Sequence, residues 1–251
     1  MVAVVSGSVT HGYTERLGVL HKSGYDGVVA VSSRSTQGRR ERREEILDAT
    51  RALLDERGLQ DAPIDEIARA AGINKALIYR YFESKDELLA LTLDRYLDEL
   101  DELLAKHSEI EGPVERLDAQ LKTLVDYTAD SPAFMDCAFA LMRRPVFEFA
   151  DTMSDASLFR LGRSMGRCVD HLVKVLEDGS KSGEFVVTDA ATTANLICAQ
   201  ALGMLQMARL GAGVRMTDGG FPETFPLDRE LVRRAARAGV LASVATRSAG
   251  K

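Results

Sequence analysis

The stretch from Ile64 to Lys85, IDEIARAAGINKALIYRYFESK, constrains this chain more than any other, because two short helical patterns meet in it at a single glycine. In the first, Ile64, Ile67, Ala68 and Ala71 recur at helical spacing and make one narrow apolar face, while Asp65, Glu66 and Arg69 point outward. Gly72 supplies the left-handed conformation that ends a helix and turns the chain sharply. Asn74 is a competent N-cap for a second helix from about Lys75, in which Ile78 and Phe82 share a core-facing side. Lys75, Ala76, Leu77, Tyr79 and Arg80 are left to face something else, and such small, hydrogen-bonding and cationic groups suit base edges in a major groove. Helix, tight turn and second helix together read as a helix-turn-helix, although glycine-joined helix pairs also serve as plain packing units in all-helical proteins.

The stretch and its surroundings resemble the TetR family of one-component transcriptional repressors. The residues carrying the likeness are Ile46-Leu47-Asp48-Ala49, Glu56-Arg57-Gly58, Ile67-Ala68 with Ala71-Gly72-Ile73, and above all the run from Leu77 to Leu89, LIYRYFESKDELL. The resemblance is strong over about residues 40–90 and beyond them is one of helix arrangement. It implies an all-α fold with 39–84 as a three-helix DNA-binding domain and 85–251 as a helical domain for effector binding and dimerisation; residues 1–38, with glycines, serines and short apolar clusters but no sustained period, read from their own composition as a flexible extension. It further implies a homodimer on a pseudo-palindromic double-stranded DNA operator. Lys75, Ala76, Leu77 and Arg80 would lie at base edges or nearby backbone, and Tyr79 and Lys85 would hold phosphates. Two departures matter. Ala62-Pro63 stand where many members carry serine or threonine, so a hydroxyl cap is lost, with Pro63 expected in the first helical turn and Asp61 as the cap. Leu77 stands where threonine or serine is frequent, which favours contact with a thymine methyl over a hydrogen bond.

The formal charge of −6 at first argues against a nucleic-acid partner. Its distribution reverses that impression: residues 34–85 hold 11 Lys/Arg against 10 Asp/Glu, and the stretch from Asp86 onward holds 19 against 26. A balance this slight makes binding depend on the local placement of Arg39, Arg40, Arg42, Arg43, Lys75, Arg80 and Lys85. The end of the extension, SSRSTQGRR, has the composition of an arm for the DNA backbone or minor groove, and equally that of a solvated tail.

Helices are expected at about 40–57, with Ile46, Ala49, Leu53 and Leu54 inward, and from Ser84 to about His107. Further helices are expected at 113–129, 132–144, 153–178, 188–210 and 228–247, with breaks at Gly179 to Gly183 and a long Gly/Pro loop from Gly211 to Pro226. No alternating strand pattern of useful length is visible. Small residues (Ala191, Ala194, Cys198, Ala201, Gly203, Ala208), with Leu231, Ala235, Val240 and Leu241 of the last helix, fit either the four-helix dimer interface that the resemblance implies or an intramolecular core.

Between about 113 and 178 the chain is rich in aromatic and methionine side chains, which make adaptable apolar cavities. Phe134, Phe139, Met142, Phe147, Phe159 and Met165 are the candidate lining of a pocket for a small, apolar effector, a place the resemblance also implies. Catalytic residues, metal ligands and a cofactor are not expected. Cys168 and His171 share a helix face without a second ligand pair, and the glycines after Gly211 lack a phosphate-loop pattern. Three scattered cysteines speak against a disulfide framework. With no apolar run near 20 residues and no basic leader, the expectation is a soluble, cytoplasmic protein without membrane contact. A helical carrier or enzyme that keeps the motif without binding an operator stays open as the rival reading.

Overall fold

The computed structural model describes residues 33–59, 62–143, 148 and 151–244. Nine helices are seen among them, α1 (Ser33–Arg57), α2 (Ile64–Ala70), α3 (Lys75–Tyr81), α4 (Lys85–Ala105), α5 (Pro113–Asp130), α6 (Pro132–Met142), α7 (Asp155–Ser182), α8 (Ala190–Leu210) and α9 (Arg229–Val244). Among the described residues one antiparallel hairpin, β1 (Ala212–Met216) with β2 (Pro222–Pro226), stands between α8 and α9. The expected all-α class therefore holds. No helix among the described residues is long and apolar enough to cross a membrane.

The described residues divide into two compact units, one of 33–96 with 131–164 and the other of 97–130 with 165–244. In the first, α1 packs against α2, α3 and α6. Ile46, Leu47 and Leu54 of α1 meet a core shared with Ile67, Ile78, Phe82, Leu88, Leu91 and Met135, all of them buried. Each such side chain contributes roughly 1.5–3 kcal/mol by leaving water. Tyr96 is wholly buried; its hydroxyl donates to Asp55 Oδ1 at 2.7 Å and its ring meets Phe134 edge-on, centroids 6.2 Å apart. Asp94, also without exposure, accepts from Ser164 Oγ at 2.6 Å and places Oδ2 2.5 Å from Arg160 Nε, a close ion contact without hydrogen-bond alignment. In the second unit Leu117 and Leu121 of α5, Leu176 of α7, Ile197 of α8 and Val240 and Val244 of α9 form one cluster, closed by Phe185.

Several expectations shift. The first helix begins at Ser33 rather than near Arg40, helped by Gln37, whose side chain donates to Glu41 one turn on at 2.8 Å; residues 1–32 of the expected extension lie outside the described residues. α7 runs through Gly179 to Ser182 where a break was expected, and Gly179 lies under the Phe185 ring, which leaves no room there for a Cβ. The expected loop from Gly211 to Pro226 is the hairpin. Its strands are only five residues each and β2 begins and ends in proline, which hides the alternation, while Gly220 at φ 78° turns the chain and Thr217 N–H closes it onto Phe221 O at 2.9 Å. Ala194, Ala201 and Val240, candidates for an outer self-association face, are buried within the chain's own core. Expected helix beyond Val244 and the expected pocket residue Phe147 fall outside the described residues.

Candidate nucleic-acid interface

α3 is short, and its place is set by what surrounds it. α2 is preceded by Pro63, whose carbonyl accepts from the N–H of Glu66 (3.0 Å) and Ile67 (3.1 Å). Pro63 is thus the N-cap and not a first-turn residue: its ring fixes φ at −63° while ψ is extended at 158°, and no side chain caps the helix. Asp61 lies outside the described residues. Asp65 and Glu66 in the first turn of α2 complement its dipole instead. The helix closes in a Schellman turn, with Ile73 N–H to Ala68 O at 2.9 Å and Gly72 N–H to Arg69 O at 3.0 Å, which requires the left-handed φ of 65° that Gly72 adopts. Asn74 then caps α3, its side chain accepting from Leu77 N–H at 2.8 Å.

From this frame α3 buries Ile78 completely and Phe82, just past its end, almost so. Lys75, Ala76, Tyr79 and Arg80 are exposed and Leu77 is partly so, the division that the sequence leads one to expect. Lys75 Nζ sits 3.3 Å from Asp65 Oδ2 of α2, an exposed pair that a phosphate can replace at little loss. Arg39 of α1 donates from Nη2 to the Arg80 carbonyl at 3.3 Å, so the basic start of α1 reaches the end of α3. Lys85 opens α4, partly buried, with Nζ 3.4 Å from the Ala62 carbonyl; one of its donors points back to the start of α2.

Arg43, counted from sequence among the placed cations, turns inward. Its guanidinium covers the Phe82 ring at 5.0 Å and donates to Glu87 Oε1 (3.3 Å) and Ser157 Oγ (3.1 Å). Glu87 is 1% exposed and ties together four segments. It accepts from Ser157 Oγ (2.5 Å), Ser154 Oγ (2.7 Å), Glu83 N–H (2.5 Å) and Arg43, while its own N–H donates to Ser84 Oγ at 2.9 Å. Burial works to raise its carboxyl pKa, but the bonds from Ser157, Ser154 and Glu83 together with the Arg43 charge outweigh that and hold it below the ordinary glutamate value. Sequence reasoning passed over Glu87, although Ser84-Lys85-Asp86-Glu87 is a capping-box spacing. The Asp65–Lys75 pair, spanning a turn, carries no such local signal.

The candidate effector residues are spread. Phe134 packs on Tyr96, Phe139 and Met142 are half-buried on α6, and Phe159 and Met165 are exposed on α7 at 43% and 42%. Two open cavities of about 660 and 450 Å³ lie elsewhere, beside Arg116 and Asp178 and beside Leu176 and Val187. Cys168 Sγ donates to Leu97 O at 3.3 Å and His171 Nε2 is held 2.7 Å from Asp101, so both prospective metal ligands have protein partners.

Residues 46–91 match the tetR family of bacterial regulatory proteins. Similar proteins include the HTH-type transcriptional regulator HbdR of Aromatoleum sp. (strain CIB), 42% identical over 80 residues, which are 31% of this chain and 34% of that protein. Another is the HTH-type transcriptional repressor KstR of Rhodococcus jostii (strain RHA1), 31% identical over 133 residues, 53% of this chain and 60% of its relative. The chain thus spans a third to three-fifths of the length of these curated relatives. Among solved structures, RolR in complex with resorcinol superposes with a TM-score of 0.62 at 19% identity, covering 85% of this chain and 92% of that one, a likeness of fold.

Proposed function

We propose that this TetR-family chain is a DNA-binding transcription regulator, acting as a homodimeric repressor that a small, apolar effector releases from a pseudo-palindromic operator. The observation carrying the proposal is the outward face of α3, where Lys75, Ala76, Tyr79 and Arg80 are exposed because Ile78 and Phe82 are sunk in the core behind them. In this reading residues 39–84 engage DNA and 85–251 hold the effector and the dimer interface. Lys75, Ala76, Leu77 and Arg80 meet base edges or adjacent backbone, and Tyr79 and Lys85 hold phosphates. Two such helices, about 34–36 Å apart, enter successive major grooves. The half-buried Phe139 and Met142 of α6 support an apolar effector, and a coupling of about 1–3 kcal/mol would weaken DNA binding 5- to 150-fold. The test is gel shift and footprinting with the DNA flanking the chain's own gene. A protected, two-fold symmetric site is expected. Absence of affinity for any duplex at low salt would overturn the reading and favour a carrier or enzyme.

A further inference from the structure

The hairpin between α8 and α9 carries its polarity inside out. Register pairs Ala212 with Pro226, Val214 with Thr224 and Met216 with Pro222, so these six side chains share one face. That face has no charge, and Val214 and Met216 are 70% and 64% exposed; at the turn Phe221 is 73% exposed. The charged pair Arg215–Glu223 and the ring of Phe225, with Arg215 over it, occupy the other face.

The two edges differ as well. Bonds from Thr217 N–H to Phe221 O and from Leu227 N–H to Gly211 O put the odd-numbered residues of β1 in the bonded pairs. The N–H and C=O groups of Ala212, Val214 and Met216 therefore point away from β2. On the outer edge of β2 the corresponding residues are Pro222, Thr224 and Pro226, and two of the three lack a donor. One edge is thus closed to further pairing, and the other keeps its full set of donors and acceptors with no backbone partner among the described residues. The helix leading into β1 continues the theme: α8 exposes Leu196, Gly203, Met207 and Leu210 at successive spacings of seven, four and three residues, along one side of the helix, and its only charged residue is Arg209.

We propose that β1 pairs antiparallel with β1 of a second copy of this chain, about a two-fold axis at Val214, joining two hairpins into a four-stranded sheet. The strand is self-complementary in that register. Val214 exchanges both bonds with its mate, Ala212 bonds with Met216, and Arg215 falls opposite Gly213 and not opposite another arginine. Side chains bare in one copy become cross-strand neighbours on the apolar face. The inference rests on the homodimer reading above and adds an arm to it.

Engineered cysteines test it in the full chain. A bonded antiparallel pair holds its Cα atoms about 5.5 Å apart, within disulfide range. Native thiols give little background, since Cys137 is buried with its pKa pushed up to about 12, burial pushes Cys168 up to about 12, and Cys198 is raised by burial as well. Under mild oxidation Val214→Cys is expected to run as a covalent dimer on a non-reducing gel, while Thr224→Cys, on the same face but the closed strand, stays monomeric. Val214→Pro, which removes the central donor, is expected to raise the dimer dissociation constant at least tenfold by sedimentation. A wild-type dimer in which Val214→Cys fails to cross-link, or cross-links no better than Thr224→Cys, overturns the strand pairing and leaves the dimer standing. A wild-type monomer overturns both.

Discussion

Glu87 of α4 accepts a 2.5 Å hydrogen bond from Ser157 of α7, and both residues are buried. The link joins the start of α7 to the turn that follows α3, through Glu83, and to the brace α1, through Arg43. Glu87→Gln keeps the shape and removes the charge, so Arg43 loses its ion partner; stability at pH 7 should fall by about 2 kcal/mol. The folded carboxyl titrates below its ordinary value, so its contribution is complete above the unfolded range of about 4.3 and is lost as pH falls through the lower folded value. Chemical denaturation of both proteins from pH 7 to pH 3 should show a gap that is constant down to about pH 5 and narrows in acid. A gap unchanged at pH 3 would mean that the charge is not what holds these segments.

Asn74→Ala removes the side chain that caps α3 and should cost about 1 kcal/mol of stability. Because the freed N–H belongs to the first turn of the helix proposed to read DNA, operator affinity should fall further than affinity for unrelated duplex. Thermal melts and competition binding measure the two effects. Equal losses on both DNAs would separate the cap from recognition.

Asp65→Asn tests the exposed pair with Lys75. Removing an exposed partner should change stability by less than about 0.5 kcal/mol. Taking a negative charge from the side proposed to meet DNA while freeing an ammonium should tighten binding to any duplex several-fold at low salt, with less effect as salt rises. Fluorescence anisotropy across a salt series reads this directly, and weaker binding would contradict it.

Lys85→Ala and Leu77→Thr separate position from specificity. Loss of Lys85 should weaken binding on all sequences and lower the slope of log affinity against log salt by about one. An unaltered slope would assign Lys85 to its Ala62 bond alone. Leu77→Thr should change the preferred base at one position in a selection from random duplexes, and an identical consensus for both proteins would remove Leu77 from the readers.

Local chemistry made the helix-turn-helix legible. Gly72, Asn74 and the apolar spacing of Ile64, Ile67, Ile78 and Phe82 each speak through near neighbours, and the turn, the cap and the buried face all follow from them. What escaped was carried by distance along the chain. Arg43 meets Ser157 across 114 positions, and an arginine that turns inward reads in sequence like one that faces DNA. The hairpin was hidden for a different reason, since prolines at both ends of β2 and an apolar face turned to solvent contradict the usual marks of a strand.

The Asp94 carboxylate, sealed off from water, leans on Ser164 and Arg160 alone among the partners seen. A parting of the middle of α4 from the first turns of α7 too narrow to admit water would leave that carboxylate without its partners before either helix had unravelled, so small excursions are suppressed and the two stretches part together or not at all. Their amide protons should accordingly trade with deuterium in one concerted wave, long after those of the hairpin have gone.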